Sequence, residues 1–163
     1  MTRTTRSITF AHSIAGLVWR AEHSWSMDAG APMYFGFVVP NREMVALGRE
    51  YNTDGTTLQV DLYQTTFTGG TPVETLNRRL KYRNNPPPLQ LLHSVTPAGL
   101  TDRITGFKLS TQGAIRIGRL GEVEPFIHEE LISYVLAISN NVAGVKDYAF
   151  SLDFRLLQPG EDQ

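Results

Sequence analysis

The chain has 163 residues, a formal net charge of −1 and 19% charged residues. This length suits one domain with a real hydrophobic core, and so small a net charge gives no overall field to attract nucleic acid or an anionic membrane. Cysteine is absent, which excludes disulfides, thiolate metal sites and cysteine nucleophiles.

The first twenty residues give a weak structural signal. Their apolar residues have helical spacing, although Gly16 interrupts it: Phe10, Ile14, Leu17 and Val18. We interpret residues 1–20 as a short helix or as an N-terminal arm that contains a strand. The sequence suggests no secretory leader and no apolar run long enough to span a membrane, so we expect a soluble product of the cytoplasm.

Period-two alternation and apolar runs predict seven strands further along the chain. They cover residues 33–39, 58–63, 89–95, 105–109, 115–117, 132–138 and 148–156. In the last of these, the alternation places Phe150 and Phe154 in the core and Asp153 on the exposed face. Residues 122–131 leave room for one helical turn after Pro125.

The number of predicted strands, with 14 glycines and 9 prolines, favours an all-β fold. Seven or eight strands separated by turns predict an antiparallel sandwich or barrel, of jelly-roll or immunoglobulin-like topology. No repeat or linker is visible, so we expect a single domain over residues 1–163. Residues 159–163 are expected to form a loose tail.

The histidines do not form a metal-binding motif. They are dispersed at His12, His23, His93 and His128. His93 lies on the apolar register of its predicted strand, which favours a core or boundary histidine over a ligand. The neighbouring Glu129 would point to the opposite face from His128, so a shared metal is not expected. A nucleophilic Gly-x-Ser-x-Gly elbow is also missing.

Paired carboxylates would suit a glycosidase on a β-sandwich. The candidates are Asp61, Asp153, Glu122 and Glu124. Asp61 and Asp153 lie on polar registers, where solvated side chains are far more common than catalytic pairs. Tyr63 and Phe67 fall on the polar face of their strand and give weak support to a sugar-binding cleft.

A basic run follows the Gly69-Gly70 turn and combines four cations with one aromatic residue: Arg78, Arg79, Lys81, Tyr82 and Arg83. The simplest interpretation is a solvated loop of ordinary charge. Because arginine and tyrosine are enriched at interface hot spots, we also predict a partner-contact surface that contributes little to folding. Arg3 and Arg6 are candidates for a second contact.

The turns and strands around this run resemble those of a known family. The matching pattern is a strand at 60–63, a Thr-Phe-Thr-Gly-Gly-Thr turn at 66–71 and a Leu-Asn-Arg loop at 76–78, followed by later strands near Tyr134 and Tyr148. It is similar to the capsid decoration (cement) proteins of tailed phages over residues 33–157. The chain departs from the pattern at Arg79, where the family usually has asparagine.

The resemblance implies a jelly-roll fold of about eight strands and a structural virion protein rather than an enzyme. Such a protein would bind the major capsid protein on the outside of the capsid and bridge capsomers. It would form a homo-oligomer, a dimer or trimer, with no cofactor, no membrane contact and no direct contact with nucleic acid. The alternatives are a carbohydrate- or receptor-binding module of a phage head or tail fibre, and a jelly-roll metalloenzyme.

Overall fold

The computed structural model describes residues 15–53, 58–109, 113–117 and 126–160. These ranges contain strands and one short 3₁₀ turn, Leu80–Tyr82. The strands are β1 Trp19–Met27, β2 Met33–Val38, β3 Met44–Thr53, β4 Leu58–Gln64, β5 Phe67–Thr68, β6 Thr71–Pro72, β7 Glu74–Asn77, β8 Leu92–His93, β9 Thr96–Pro97, β10 Arg103–Leu109, β11 Gly113–Ile117, β12 Phe126–His128, β13 Ser133–Asn140 and β14 Lys146–Leu156.

Eight of these strands form a jelly roll. Sheet A has the order β11-β3-β14-β1-β7, with β12 also paired to β3, and sheet B has the order β10-β4-β13-β2-β8-β6. Successive strands β1 to β4 alternate between the sheets, and every pairing is antiparallel. Two facing four-stranded layers with this connectivity define the jelly-roll sandwich. The predicted fold class is therefore confirmed.

The core lies between the two sheets and is rich in aromatic side chains. Phe35 of β2 contacts Phe150 of β14 with ring centroids 5.2 Å apart, and Tyr51 of β3 stacks on Phe150 at the same distance. All three side chains are fully buried, as is Phe154. Burial raises the pKa of the Tyr51 hydroxyl to about 12.

An insertion between β4 and β10, residues 65–102, closes one side of the sandwich. Its β7 extends sheet A beyond β1, and its β8 and β6 extend sheet B beyond β2. Its β5 and β9 form a separate two-stranded sheet. The ring of Phe67, in β5, lies over Gly36 of β2, where a β-carbon would be too close to the ring. The insertion therefore also covers part of the outer face of sheet B.

Several predicted boundaries need correction. The region 89–95 contains only a two-residue strand, because Ser94 has a left-handed φ of 57° that ends it. The helical turn suggested within 122–131 is wrong where the structure describes it, since Phe126–His128 is a strand. Residues 1–14 lie outside the described ranges, and β1 begins at Trp19, within the segment interpreted as a helix or a strand-containing arm, so the arm stays a prediction.

Asp153 lies on the outer face of sheet A and is nevertheless buried. Its carboxylate accepts hydrogen bonds from the guanidinium groups of Arg78, at 3.2 Å, and Arg20, at 3.4 Å. Burial raises the pKa of the Asp153 carboxyl above its usual value, and the two arginines oppose this only in part. The expectation of an exposed Asp153 is therefore wrong, and the expected core positions of Phe150 and Phe154 are confirmed.

Three substitutions on β14 should separate these roles in urea denaturation. Phe154→Ala should lower the free energy of unfolding by about 3–5 kcal/mol, because it empties a core site. Asp153→Ala should cost about 1–2 kcal/mol, because two guanidinium groups lose their acceptor. Asp153→Asn should have little effect, since its amide oxygen still accepts from Arg78 while the buried charge is removed. Equal losses in the alanine and asparagine variants of Asp153 would contradict this account.

Candidate contact surface

The basic loop has a rigid root at Asn77, the last residue of β7. The Asn77 side chain is buried, and its amide donates to the backbone oxygen of Gly16 at 2.6 Å. Its side-chain oxygen accepts from the backbone N–H of Arg79 at 2.9 Å. The backbone of β7 is paired with β1, where Asn77 lies opposite Trp19. The loop therefore leaves the sandwich in one fixed direction.

Backbone hydrogen bonds hold the rest of the loop in consecutive tight turns. The N–H of Tyr82 donates to the oxygen of Arg79 at 2.9 Å, and the N–H of Asn85 donates to the oxygen of Tyr82 at 3.0 Å. The Tyr82 ring packs directly against Gly16, whose φ is +76°. A side chain at Gly16 would overlap the ring, so this glycine is needed both for its backbone conformation and for its small size.

The end of the loop presents one apolar side chain among cations. Leu80 is 80% exposed, which makes it the most exposed large hydrophobic residue in the described part of the chain. The Arg79 and Lys81 charges lie 5.4 Å and 5.5 Å from the centre of the Tyr82 ring, and Arg83 is exposed. We call residues 79–83 the basic tip. Sequence reasoning identified its cations and Tyr82 but missed Leu80.

Arg78 differs from the other cations of the loop. Its guanidinium is paired with the buried Asp153, and its backbone N–H donates to the oxygen of Val18 at 2.9 Å. The expectation that Arg78 contributes little to folding is therefore wrong. Its role in a partner contact stays a prediction. Arg3 and Arg6 lie outside the described residues, so their role in a second contact stays a prediction.

Among the residues that the structure describes, the candidate metal and carboxylate sites are not assembled. No group of three or more histidines and carboxylates within the described ranges could hold a metal ion. His93 is half-exposed, and its ring stacks on that of His23 with centroids 3.9 Å apart, so it lies at the boundary of the core. Asp61 is paired with Arg103 at 2.7 Å on sheet B, whereas Asp153 belongs to sheet A. His12, Glu122 and Glu124 lie outside the described residues.

His128 is the buried histidine of the described chain. Its ring packs edge-on against Phe37 and Tyr134, with centroids 5.1 Å and 4.6 Å away. Burial, reinforced by the positive charge of Arg49, lowers the pKa of His128 to about 3. The imidazole is therefore neutral in the folded protein at physiological pH and acts as a core side chain.

Comparison with known proteins gives weak likenesses. No protein-family model and no curated protein matches the chain. A solved structure of PirA shares 9% identity with it over 84% of this chain and 94% of its own, with a TM-score of 0.36. The Yersinia pseudotuberculosis-derived mitogen shares 9% over 88% and 91%, with a TM-score of 0.32. A chain of tomato aspermy virus shares 10% over 99% and 98%, with a TM-score of 0.28.

Likenesses at these TM-scores carry no conclusion about function, so the resemblance to phage decoration proteins stays a prediction. None of the described segments is a helix long and apolar enough to cross a membrane.

Loss of the Asn77 side chain should loosen the basic tip. Asn77→Ala removes the acceptor for Arg79 and leaves the buried oxygen of Gly16 unpaired, so we expect a loss of about 1–3 kcal/mol in the free energy of unfolding. Amide hydrogen exchange at Tyr82, Arg83 and Asn85 should become faster. The exposed Asn84, changed to alanine, is the matched control and should alter neither quantity. Unchanged exchange in Asn77→Ala would show that the tip does not depend on this root.

His128 should make the protein less stable in mild acid. Its folded pKa, about 3, is below the unfolded value of 6.5, so the unfolded chain takes up a proton first as the pH falls. The stability that the neutral His128 contributes to the folded protein is fully present above pH 6.5. Below pH 6.5 the free energy of unfolding falls by up to about 1.4 kcal/mol per pH unit. The lowered pKa of His23 acts in the same direction, and the raised pKa of Asp153 opposes it.

Denaturation of the wild type and His128→Gln at several pH values between 7 and 4 tests this contribution. Stability of the variant should depend less steeply on pH, because glutamine does not titrate. The same slope for both proteins would contradict the assignment.

Proposed function

We propose that the protein is a structural virion protein that binds the outside of a phage capsid and stabilises it by bridging capsomers. The observation that carries the proposal is the basic tip. It is a fixed protrusion with an exposed Leu80 among three cations, built on a jelly-roll body. The resemblance in turns and strands to phage decoration proteins supplies the choice of partner, the major capsid protein.

The tip has the physical properties of a docking element. Burial of a leucine side chain against a partner contributes about 1.5–3 kcal/mol relative to leaving it exposed. Three cations that form no ion pair with any described residue favour a carboxylate-rich partner surface. The hydrogen-bonded turns reduce the entropy that binding would otherwise cost, because the loop is already ordered.

Cementing a capsid needs only modest individual contacts. A protein bound across a boundary between capsomers adds interface that must be lost before the boundary opens. Copies repeated around a symmetric shell make many such contacts at once, so their effects on the shell accumulate. The proposed role requires no chemistry at the tip, only its shape, charge and rigidity.

Removal of tip charge should weaken capsid attachment while the fold is kept. In the double variant Lys81→Ala, Arg83→Ala, we expect at least about tenfold weaker binding to expanded capsids of the parent phage in co-sedimentation, which corresponds to about 1.4 kcal/mol. The melting temperature should stay unchanged, because both side chains are exposed. Capsid binding of the wild type should weaken at high salt, because salt screens the charges of the tip. The difference in capsid affinity between the wild type and the double variant should then become smaller.

The double variant Lys108→Ala, Lys146→Ala is the matched control, since it removes two cations outside the tip. It should bind as the wild type does. Full capsid occupancy by the tip variant, or an equal loss in the control, would refute a specific contact at the tip. No attachment of the wild type to the capsid would refute the proposed function itself.

A cleft lined by residues of β1, β3 and β14 favours carbohydrate binding as the alternative. It has a volume of about 510 Å³, and its lining combines aromatic and polar side chains: Ser24, Trp25, Ser26, Asn52, Asp147, Tyr148 and Ala149. Phe67, an aromatic expected at such a site, instead packs over Gly36. A glycan that binds the wild type on an array, and binds Asn52→Ala more weakly, would support this alternative.

A further inference from the structure

We propose that the basic tip of one copy binds an acidic-rimmed apolar patch on a second copy of the same chain, which makes a head-to-tail ring. The patch consists of Val38 and Leu131 with the carboxylates of Glu43, Glu129 and Glu130. We call it the Leu131 patch. This inference rests on the proposed function and deepens it, because it gives the tip a partner within the assembly; a tip that is bound to a neighbouring copy is not available to the capsid, so one tip makes only one of the two contacts at a time.

The apolar part of the patch is exposed and held in place by the backbone. Leu131 is 71% exposed and Val38 is 51% exposed. The N–H of Leu131 donates to the oxygens of Val39 and Pro40, at 3.0 Å and 3.1 Å, and the N–H of Val39 donates to the oxygen of Ile132 at 3.0 Å. These bonds join the end of β2 to the turn before β13, so the two apolar side chains belong to one fixed surface.

The backbone of Leu131 is unusual for its residue type. Its φ is 60°, in the left-handed region that a leucine rarely adopts and that glycine would occupy without strain. Because the Leu131 side chain is largely exposed, its packing in the core does not offset the strain of its backbone. Such outliers are concentrated at functional positions, so the geometry points to a role for the outward-facing leucine.

The charges around the two surfaces are complementary. Glu43, Glu129 and Glu130 line a cleft of about 450 Å³ beside the patch, where Arg42 is the single cation among the lining residues. The basic tip has three cations and no carboxylate in residues 79–83. Each surface has an exposed leucine at its centre. Opposite charge surrounding apolar side chains on both sides is the arrangement expected of a specific interface.

The basic tip and the Leu131 patch lie at the same end of the sandwich. Asn77, at the root of the tip, lies opposite Trp19, where β1 begins. The chain reverses direction between β1 and β2, so Val38 at the end of β2 lies at the same end of the sandwich. Different surfaces that meet head to tail produce rings or filaments. Because both surfaces lie at one end, neighbouring copies would stand side by side rather than stack end to end.

Charge reversal with rescue in the same chain tests the contact. We expect the wild type to sediment as an oligomer at about 50 mM NaCl and to dissociate towards the monomer at about 500 mM. Lys81→Glu with Arg83→Glu, and separately Glu129→Lys with Glu130→Lys, should each weaken association at least about tenfold. All four substitutions together should restore it, since the charges are exchanged but still complementary.

Leu131→Gly gives a test that does not depend on charge. It removes the exposed side chain and relieves the left-handed backbone, so the melting temperature should be kept or raised while association weakens. A monomeric wild type at about 100 μM and low salt would overturn the proposal, given that weak specific complexes still form in this range. The proposal would also be overturned if either charge-reversed double variant associated as tightly as the wild type. It would be overturned as well if the variant with all four substitutions folded but did not regain association.

The outcome is separable from that of the proposed function. A wild type that is monomeric but occupies capsids would refute the ring and leave the capsid role intact. A wild type that forms the predicted ring but does not bind capsids would refute the capsid role and leave the ring intact.

Discussion

An aromatic contact between the two sheets determines where the other strands lie. Phe35 of sheet B and Phe150 of sheet A lie 5.2 Å apart at the centre of the core, and Tyr51 stacks on Phe150 from the next strand. Interiors this closely packed have little freedom to slide. The contact fixes β14, β14 fixes β1, and β1 fixes β7, at whose end the basic tip begins. The tip is thus positioned by residues that it never touches.

The cations of the basic loop have two different roles, although they are neighbours in the sequence. Arg78 is turned towards Asp153 and belongs to the folded body, whereas Lys81 and Arg83 are exposed. The change occurs after Arg78, and Asn77 fixes the path of the following residues because its side chain binds Gly16 and Arg79. Adjacent residues of the same charge can therefore differ completely in what their removal costs.

The sequence predicted those parts of the fold whose signal is local. Strands β4, β13 and β14 have uninterrupted alternation, and all three were found. Strand β3 was missed because its register against β14 shifts where Gly48 and Ala46 face Asp153 and Phe154, which breaks the alternation. Strand β1 was missed although its buried and half-buried residues do alternate, because the helical spacing just before it took precedence.

The same limit applies to the site. The cations of the tip are neighbours in the sequence and were recognised, whereas the contact of Arg78 with Asp153 joins residues 75 positions apart. No local pattern indicates such a pair, nor the packing of Tyr82 on Gly16. The expectation that Asp153 is solvated failed for this reason: period-two alternation gives the face of a sheet but not what covers that face.

The insertion has a consequence for crowded assemblies. The unpaired backbone groups of an edge strand are a template on which other chains can add strands, and dense packing favours such errors. On the β1 and β2 side some of these groups are occupied within the same molecule: β7 pairs with residues 19–22 of β1, and β8 pairs with Phe35 and Gly36 of β2. The new borders are short: β7 has four residues, and β6 has two, of which Pro72 has no N–H to offer. Copies held at very high local concentration therefore find only short stretches of free edge on this side, which favours side-chain contacts over the extension of long sheets.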